Sequence, residues 1–348
     1  MSFTWAGVLS DLVRGNDLAP DAAAWAMDQI LAGDATPVQV AGFAVALRAK
    51  GETVAELTGL SAAMLERATP VTLPSEAVDV VGSGGDRANT VNVSTMAAIV
   101  TAACGVPVVK HGNRAASSAC GTADCLEALG VVIDVPPDAQ PQVLARAGIV
   151  FLFAAMYHPS LRFAATARKE LGVPTTFNFL GPMANPARPS AQAVGVADAR
   201  MAPLVAGVIA GRGHRGLVFH GDDGLDELTT TTASDVWLIR DGQVVQTRLD
   251  PTELGVVPAG RDDLVGADPA FNAGVVRDVL SGTRGAVRDI VALNSAAAQL
   301  AFAGPDLAAP LAAQFAEPLQ RAYAAIDSGA AARTLDAWVA ATQAAKPA

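Results

Sequence analysis

VDVVGSGGD, residues 78–86, and VPVVKHGN, residues 106–113, follow one pattern: a short β-branched run that stops in a glycine-bearing turn. A small-residue stretch with helical spacing comes after each, and this alternation signals a parallel sheet with crossover helices. Further runs at Val131 to Val135, Ile149 to Phe153, Ala193 to Val196 and Leu217 to His220 extend the series, with helical stretches at 139–147 and 159–171 between them. Val236 to Arg248, with Asp241-Gly242 at its turn, predicts a β-hairpin, and residues 291–303 and 306–326 predict closing helices. Ligands of open α/β sheets bind beyond the carboxyl ends of the strands, so the segments just after each run are the ones to inspect.

Upstream of residue 70 the texture is helical, without a strand. Asp21 to Leu31 is one helix, Thr36 and Pro37 open a second that ends at Gly51, and Thr53 with Glu56 forms a capping box for a third. Pro70 and Pro74 break the pattern and mark a hinge. A chain of 348 residues exceeds the usual ceiling for one core. The expected fold class is therefore α/β, with a small N-terminal helical domain over 1–70 and a larger α/β domain whose central sheet is mainly parallel.

Composition narrows the function. With 51% apolar and 17% charged residues the chain is globular, and its formal net charge of −10 opposes a nucleic acid or an anionic membrane as partner. The first sixteen residues lack the basic-then-apolar order of a signal peptide, and no apolar run reaches membrane-spanning length, so a cytoplasmic location is expected. Cys104, Cys120 and Cys125 have no metal-type spacing and read as core thiols.

Few residues must then build any anion site. In GSGGD, Gly82 to Asp86, three glycines let backbone N–H groups approach a phosphate, although an ordinary turn has the same composition. Asn92, Ser94 and Thr95 start an Ala-rich helix, where unpaired N–H groups and the macrodipole favour negative charge; capping alone needs one of them. KHGNRAASS, Lys110 to Ser118, gathers two cations, an imidazole, an amide and two hydroxyls around a glycine, in a chain with only four lysines. Thr122 opens the next helix as a further donor or a simple cap. His158 follows a strand end, and Arg168 lies in the helix beyond it, suited to a carboxylate in bidentate fashion or to the surface. Asp222, Asp223, Asp226 and Glu227 cluster after another strand; they suit Mg²⁺ or form a solvated acidic turn, and the residues alone do not say which of them face a ligand.

Taken together, VVGSGGD (80–86), NVST (92–95), KHGNRAASSACGTADCLEALG (110–130), FNFLGPMANP (177–186), HGDDGLDELTT (220–230) and VAGFAVALRAKGET (40–53) resemble the anthranilate phosphoribosyltransferases across nearly the whole chain. The resemblance implies transfer of the phosphoribosyl group of PRPP to the amine of anthranilate, in tryptophan biosynthesis. It implies PRPP contacts from Gly82, Gly85, Asp86, Thr90, Asn92, Val93, Ser94, Thr95, Lys110, His111, Gly112, Asn113, Arg114, Ala115, Ala116, Ser117, Ser118 and Thr122. Mg²⁺ would fall to Ser94, Asp226 and Glu227. Anthranilate would meet Gly82, Asn113 and Arg168, with His111 and His158 lining the entry, and no residue is assigned as acid or base. The family also implies that part of 157–189 rejoins the helical domain, that 75–156 and 190–345 form the α/β domain with substrates at the hinge, and that the chain is a homodimer. Ser83, where the family usually has Thr, and TTTTAS (229–234), where a Gly-Pro is usual, depart from the pattern. Two alternatives share the scaffold: a pyrimidine nucleoside phosphorylase, which would use free phosphate without a metal, and a non-catalytic nucleic-acid-binding relative, which would need a basic surface.

Overall fold

The structure is a computed structural model that describes residues 3–114 and 119–346. Four helices come first: α1 (Trp5–Val13), α2 (Pro20–Ala32), α3 (Pro37–Lys50) and α4 (Val54–Glu66). Local chemistry fixes their ends. Thr36 accepts from the Gln39 N–H and Pro37 opens α3, while Thr53 accepts from the Glu56 N–H and the Glu56 carboxylate returns to the Thr53 N–H at 2.9 Å. Glu56 is fully buried yet satisfied, because it also accepts from the Leu18 N–H and from Lys50 Nζ.

The α/β part follows as β1 (Val78–Gly82), α5 (Val93–Ala103), β2 (Val108–Gly112), α6 (Thr122–Leu129), α7 (Gln140–Ala147), β3 (Ile149–Phe153), α8 (Ala154–Tyr157), α9 (Arg162–Leu171), β4 (Ala191–Gly195), α10 (Ala202–Gly211), β5 (Arg215–Gly221), β6 (Ser234–Arg240), β7 (Gln243–Leu249), α11 (Pro269–Leu280), α12 (Ala286–Ala303), α13 (Leu311–Asp327) and α14 (Ala330–Ala344). The sheet runs β3-β2-β1-β4-β5-β6-β7, parallel from β3 through β5 and antiparallel at β6 and β7. Asp241 and Gly242, at φ 51° and 75°, make the hairpin turn between the last two strands. Among the described residues no helix is long and apolar enough to cross a membrane.

Strand order reverses between β1 and β4, so the chain leaves β1 toward β2 on one side and the later strands on the other. That is the switch point where a crevice opens. One core packs α5 and α6, α7 and α11–α14 against the sheet; a second joins α1–α4 to α9, α10 and the residues Val194, Val218, Trp237 and Ile239 of the strands. The bundle is thus bound to the sheet through α10. Polar links cross the same seam: Arg48 to Asp198 at 2.6 Å, Arg200 to Glu52 at 2.6 Å and Arg212 to Ser61 Oγ at 2.6 Å.

Three expectations need correction. Val131 to Val135 is not a strand: Val131, Ile133 and Val135 fill the core, but the Val132 N–H donates to Thr342 Oγ1 on α14, and Pro136 and Pro137 end the run before it can pair with a neighbour. Lys110 and His111 belong to β2 rather than to the turn after it. Helices α11 and α14 were not anticipated; α11 opens on an Asp268 cap and Pro269, a signal present in the sequence.

Gly59 shows how closely the bundle packs. A Cβ on Gly59 would lie 2.1 Å from the Pro20 carbonyl oxygen, so α2 and α4 touch backbone to side. Gly59→Ala should therefore destabilise the protein by about 2 kcal/mol or more through overpacking. Thermal melting is the check, and an unchanged midpoint would mean that α4 shifts freely.

Candidate active site

A cleft of about 340 Å³ opens beyond the carboxyl ends of β1 and β2, facing α4 and the 177–182 segment. Its floor is set by glycines. Gly82 and Gly195 are partners in register at the ends of β1 and β4, and the turn after β5 lays Asp226 across both. A Cβ on Gly195 would sit 1.6 Å from the Asp226 carbonyl oxygen, and one on Gly82 2.2 Å from Asp226 Oδ2. Asp226 Oδ2 in turn accepts the Gly84 N–H at 2.7 Å, so the glycine turn aims the carboxylate. Gly84 and Gly85 have φ of +70° and +91° and open space where a Cβ would stand, leaving their backbone exposed to a ligand.

The four acidic residues of the turn now separate into two kinds. Asp222 is paired with Arg248, and Asp223 accepts from the Leu225 N–H and from the Thr229 and Thr231 hydroxyls. Asp226 and Glu227 instead enter the cleft, where their oxygens lie with one of Asp86 within 4.8 Å of one another. Asp86 is the member that sequence reasoning assigned to PRPP rather than to a metal; nothing in its spacing from Asp226 announces the contact. Burial first, and the Asp86 charge second, push the Asp226 carboxyl up to about 7, and burial with Asp226 raises Glu227 well above the ordinary range. Glu227 Oε2 is buried without a hydrogen-bond partner among the described residues. Three converging carboxylates, each raised in pKa first of all by burial, fit a hard divalent ion.

The opposite wall presents donors. Val93 to Thr95 begin α5, with Asn92 ahead of them held by Cys120 O at 3.3 Å and Asn272 Nδ2 at 2.9 Å. Thr95, expected on this wall, is instead fully buried behind it and does not line the cleft; its hydroxyl has no partner among the described residues. Thr90 forms an isolated bridge with Val265, and Thr122 starts α6 at the cleft edge near Gly112 and Asn113. The cations are less available than the sequence suggests. Lys110 is 1% exposed; Nζ donates to Val80 O and, at 3.2 Å, to Ser94 Oγ. Burial brings it down to about 8 against the pull of Asp79, Glu227 and Asp226. Arg114 is tied to Asp124 and Glu127 at 2.8 and 2.5 Å on the rim. Ala115, Ala116, Ser117 and Ser118 lie outside the described residues.

At the far end Arg168 stands over the Phe177 ring, 5.6 Å from its centre, and burial lowers its pKa; among the described residues no carboxylate pairs with it. His111 and His158 meet edge to face with centroids 5.3 Å apart. His158 Nε2 is 2.7 Å from Ala184 O, and burial with the neighbouring His158 holds His111 down at about 3, so both rings are neutral at pH 7. Sequence reasoning missed Met64, Phe177, Leu180 and Pro182 on this wall, and missed the support behind it: Asn185 Nδ2 donates to Asp79 Oδ2 and to Val109 O, both at 2.9 Å. The motif FNFLGPMANP carried these positions without indicating which way they face.

Comparison with known proteins agrees with this geometry. Residues 7–68 match the helical bundle domain of a glycosyl transferase family, and residues 74–332 match its a/b domain. An anthranilate phosphoribosyltransferase of Acidothermus cellulolyticus is 60% identical over 99% of this chain and 96% of its own length. The structure of anthranilate phosphoribosyltransferase from Thermus thermophilus superposes with a TM-score of 0.89 at 37% identity, covering 97% of this chain and 99% of that one. The enzyme from Saccharomyces cerevisiae, solved in complex with PRPP and Mg, gives 0.87 at 26% identity over 98% of each chain. A glycine-floored cleft with three converging carboxylates and a buried arginine that has no carboxylate partner among the described residues, on a fold shared over nearly its full length with such enzymes, places this chain in the anthranilate phosphoribosyltransferase family.

Proposed function

We infer that this phosphoribosyltransferase moves the phosphoribosyl group of PRPP onto the amine of anthranilate, giving N-(5-phosphoribosyl)anthranilate and pyrophosphate. One observation carries the reading: a single cleft holds an acidic trio at one end, two helix N-termini along its wall, and at the other end an arginine with no carboxylate partner among the described residues. A polyanion with a divalent ion fits the first part and a carboxylate the second. The yeast relative solved with PRPP and Mg supports the first part of this reading.

Asp86, Asp226 and Glu227, with Ser94 nearby, would hold Mg²⁺, which supplies positive charge to the departing pyrophosphate. Everything else falls to positioning. The aromatic amine is uncharged at pH 7 and already nucleophilic, so no residue need take its proton before attack. The backbone N–H groups of 84–85 and of the α5 and α6 N-termini favour the phosphate oxygens, and Lys110 keeps net positive charge beneath them. Arg168 orients the anthranilate carboxylate, and the neutral His111 and His158 close the apolar side of the entry. The exposed apolar residues Val13, Val38 and Phe163, on α1, α3 and α9, support a homodimer through the helical bundle.

Loss of anthranilate fluorescence on adding PRPP and Mg²⁺ tests the reading; no loss, with phosphorolysis of thymidine or uridine instead, would overturn it. Arg168→Ala refines the test. Losing a charge-assisted bidentate pair costs about 2 to 3 kcal/mol, so the anthranilate KM should rise roughly thirty-fold or more while the PRPP KM hardly moves. An equal effect on both would make Arg168 a phosphate ligand or a structural residue.

A further inference from the structure

The FNFLGPMANP segment has two faces. Gly181 and Pro182 line the substrate cleft, whereas Met183, Asn185 and the following Arg188 and Pro189 turn the other way and wall a second cavity of about 330 Å³. Its remaining sides come from both parts of the fold: α4 contributes Thr58, Ala62, Leu65 and Glu66, and the end of α10 with the start of β5 contributes Arg212 and His214. The cavity therefore lies across the seam between the bundle and the sheet.

Three cationic or cation-capable side chains converge there in an acidic protein. Arg212 donates to Met183 O at 2.8 Å and to Ser61 Oγ at 2.6 Å, and among the described residues no carboxylate pairs with it. Burial first, and the nearby Arg188 second, lower its pKa to about 10. His214 Nδ1 is buried and without a hydrogen-bond partner among the described residues. Among the described residues Arg188 pairs only with the exposed Glu66, at 3.3 Å; it holds a left-handed backbone at φ 51° and lines the cavity. Ala62, Leu65, Met183 and Pro189 supply apolar lining to the same cavity. Cationic groups together with hydrocarbon in one cavity suit a carboxylate with an apolar body.

We propose that this cavity is a second binding site for a small organic carboxylate, separate from the substrate cleft and sharing one wall with it. Occupancy is felt at the cleft through that wall: Asn185, on the cavity side, holds Asp79, whose carboxylate accepts the His111 N–H, and Gln192 Nε2 on the same side holds Pro182 O at 2.8 Å.

Benzoate is a suitable probe, counted by equilibrium dialysis against the full chain. Wild type should bind two equivalents per chain, one in each cavity. Ala62→Phe, which fills the second cavity from an exposed helix position, should bind one. Arg188→Asn, which breaks only a surface ion pair and tolerates the left-handed backbone, should weaken the second equivalent about tenfold while leaving melting unchanged. Arg168→Ala should remove only the other equivalent, so a failure of the substrate-cleft reading is seen separately. A single equivalent in wild type that Arg168→Ala removes, or two equivalents persisting in Ala62→Phe, would overturn the proposal.

Discussion

Replacing Gly195 by alanine should abolish turnover, by about a thousandfold or more, while leaving most of the fold in place. The new Cβ would stand 1.6 Å from the Asp226 carbonyl oxygen and 2.3 Å from its carbonyl carbon, so the clash is with backbone and no rotamer relieves it. Gly195 itself cannot retreat: it ends a fully buried strand, pairs in register with Gly82, and accepts the Ser83 N–H at 2.9 Å. The Asp226 turn has to move, and moving it takes the carboxylate off the Gly84 N–H and out of reach of Asp86. Gly82→Ala should be milder, because its clash at 2.2 Å is with the Asp226 side-chain oxygen, which can rotate. Gly84→Ala and Gly85→Ala meet no protein atom within 4 Å and add the strain of positive φ, about 1 kcal/mol; they leave Asp226 unclashed and should act instead on PRPP binding, since the added Cβ stands where the backbone meets phosphate. Steady-state turnover and its magnesium activation, with a thermal melt of each variant, are the measurements. Wild-type magnesium activation in Gly195→Ala would mean that Asp226 is not positioned by this contact.

The comparison of those glycines also shows what the sequence could and could not say. The strand-then-glycine periodicity around 78–86 and 106–113 was enough to place β1 and β2 and to point at the turns behind them, because a buried parallel strand and a phosphate-sized turn both leave local marks. The Asp241-Gly242 turn and the Thr36 and Thr53 caps were equally local, and the structure has them where the residues ask for them. Tertiary facts left no such mark. That Asp226 rests on Gly195, thirty-one positions earlier, and meets Asp86 depends on the strand order β1-β4-β5, which periodicity does not encode. Lys110 read as an exposed loop cation because a lysine beside His and Arg is normally solvated; its burial follows from β2 lying second from the parallel edge with α5 packed over it. Val131 to Val135 read as a strand because alternation marks half-buried backbone of any kind, and here the backbone found a helix hydroxyl in place of a neighbouring strand.

The double variant Asp226→Asn with Glu227→Gln should separate catalysis from stability, because the same two carboxyls serve the first and burden the second. Both are raised in the folded protein, Asp226 to about 7 and Glu227 well above its ordinary value, chiefly by burial and then by neighbouring negative charge. A folded carboxyl with a raised pKa binds its proton more tightly than the unfolded chain does. Metal-free wild type therefore carries no penalty below the ordinary carboxylate range near pH 4, and loses stability as pH rises from there to about 7 and beyond. The double variant has nothing to titrate at these positions, so its metal-free stability should change less across that window and exceed wild type at pH 8. Lys110 loses two attractive neighbours in the variant but keeps Asp79, which is why the gain is expected to survive. Magnesium should stabilise wild type more than the variant, since a divalent ion favours the ionised carboxylates. Turnover should run the other way, falling on the order of a thousandfold at modest Mg²⁺ and recovering in part at high Mg²⁺, where the oxygens of PRPP contribute to holding the ion. Melting in EDTA from pH 4 to 8, beside a magnesium titration of activity, reads both effects on the same pair of proteins. Wild-type activity in the double variant would move the metal site elsewhere, and a pH slope identical to wild type would mean that Asp226 and Glu227 are ionised in the folded protein at no cost.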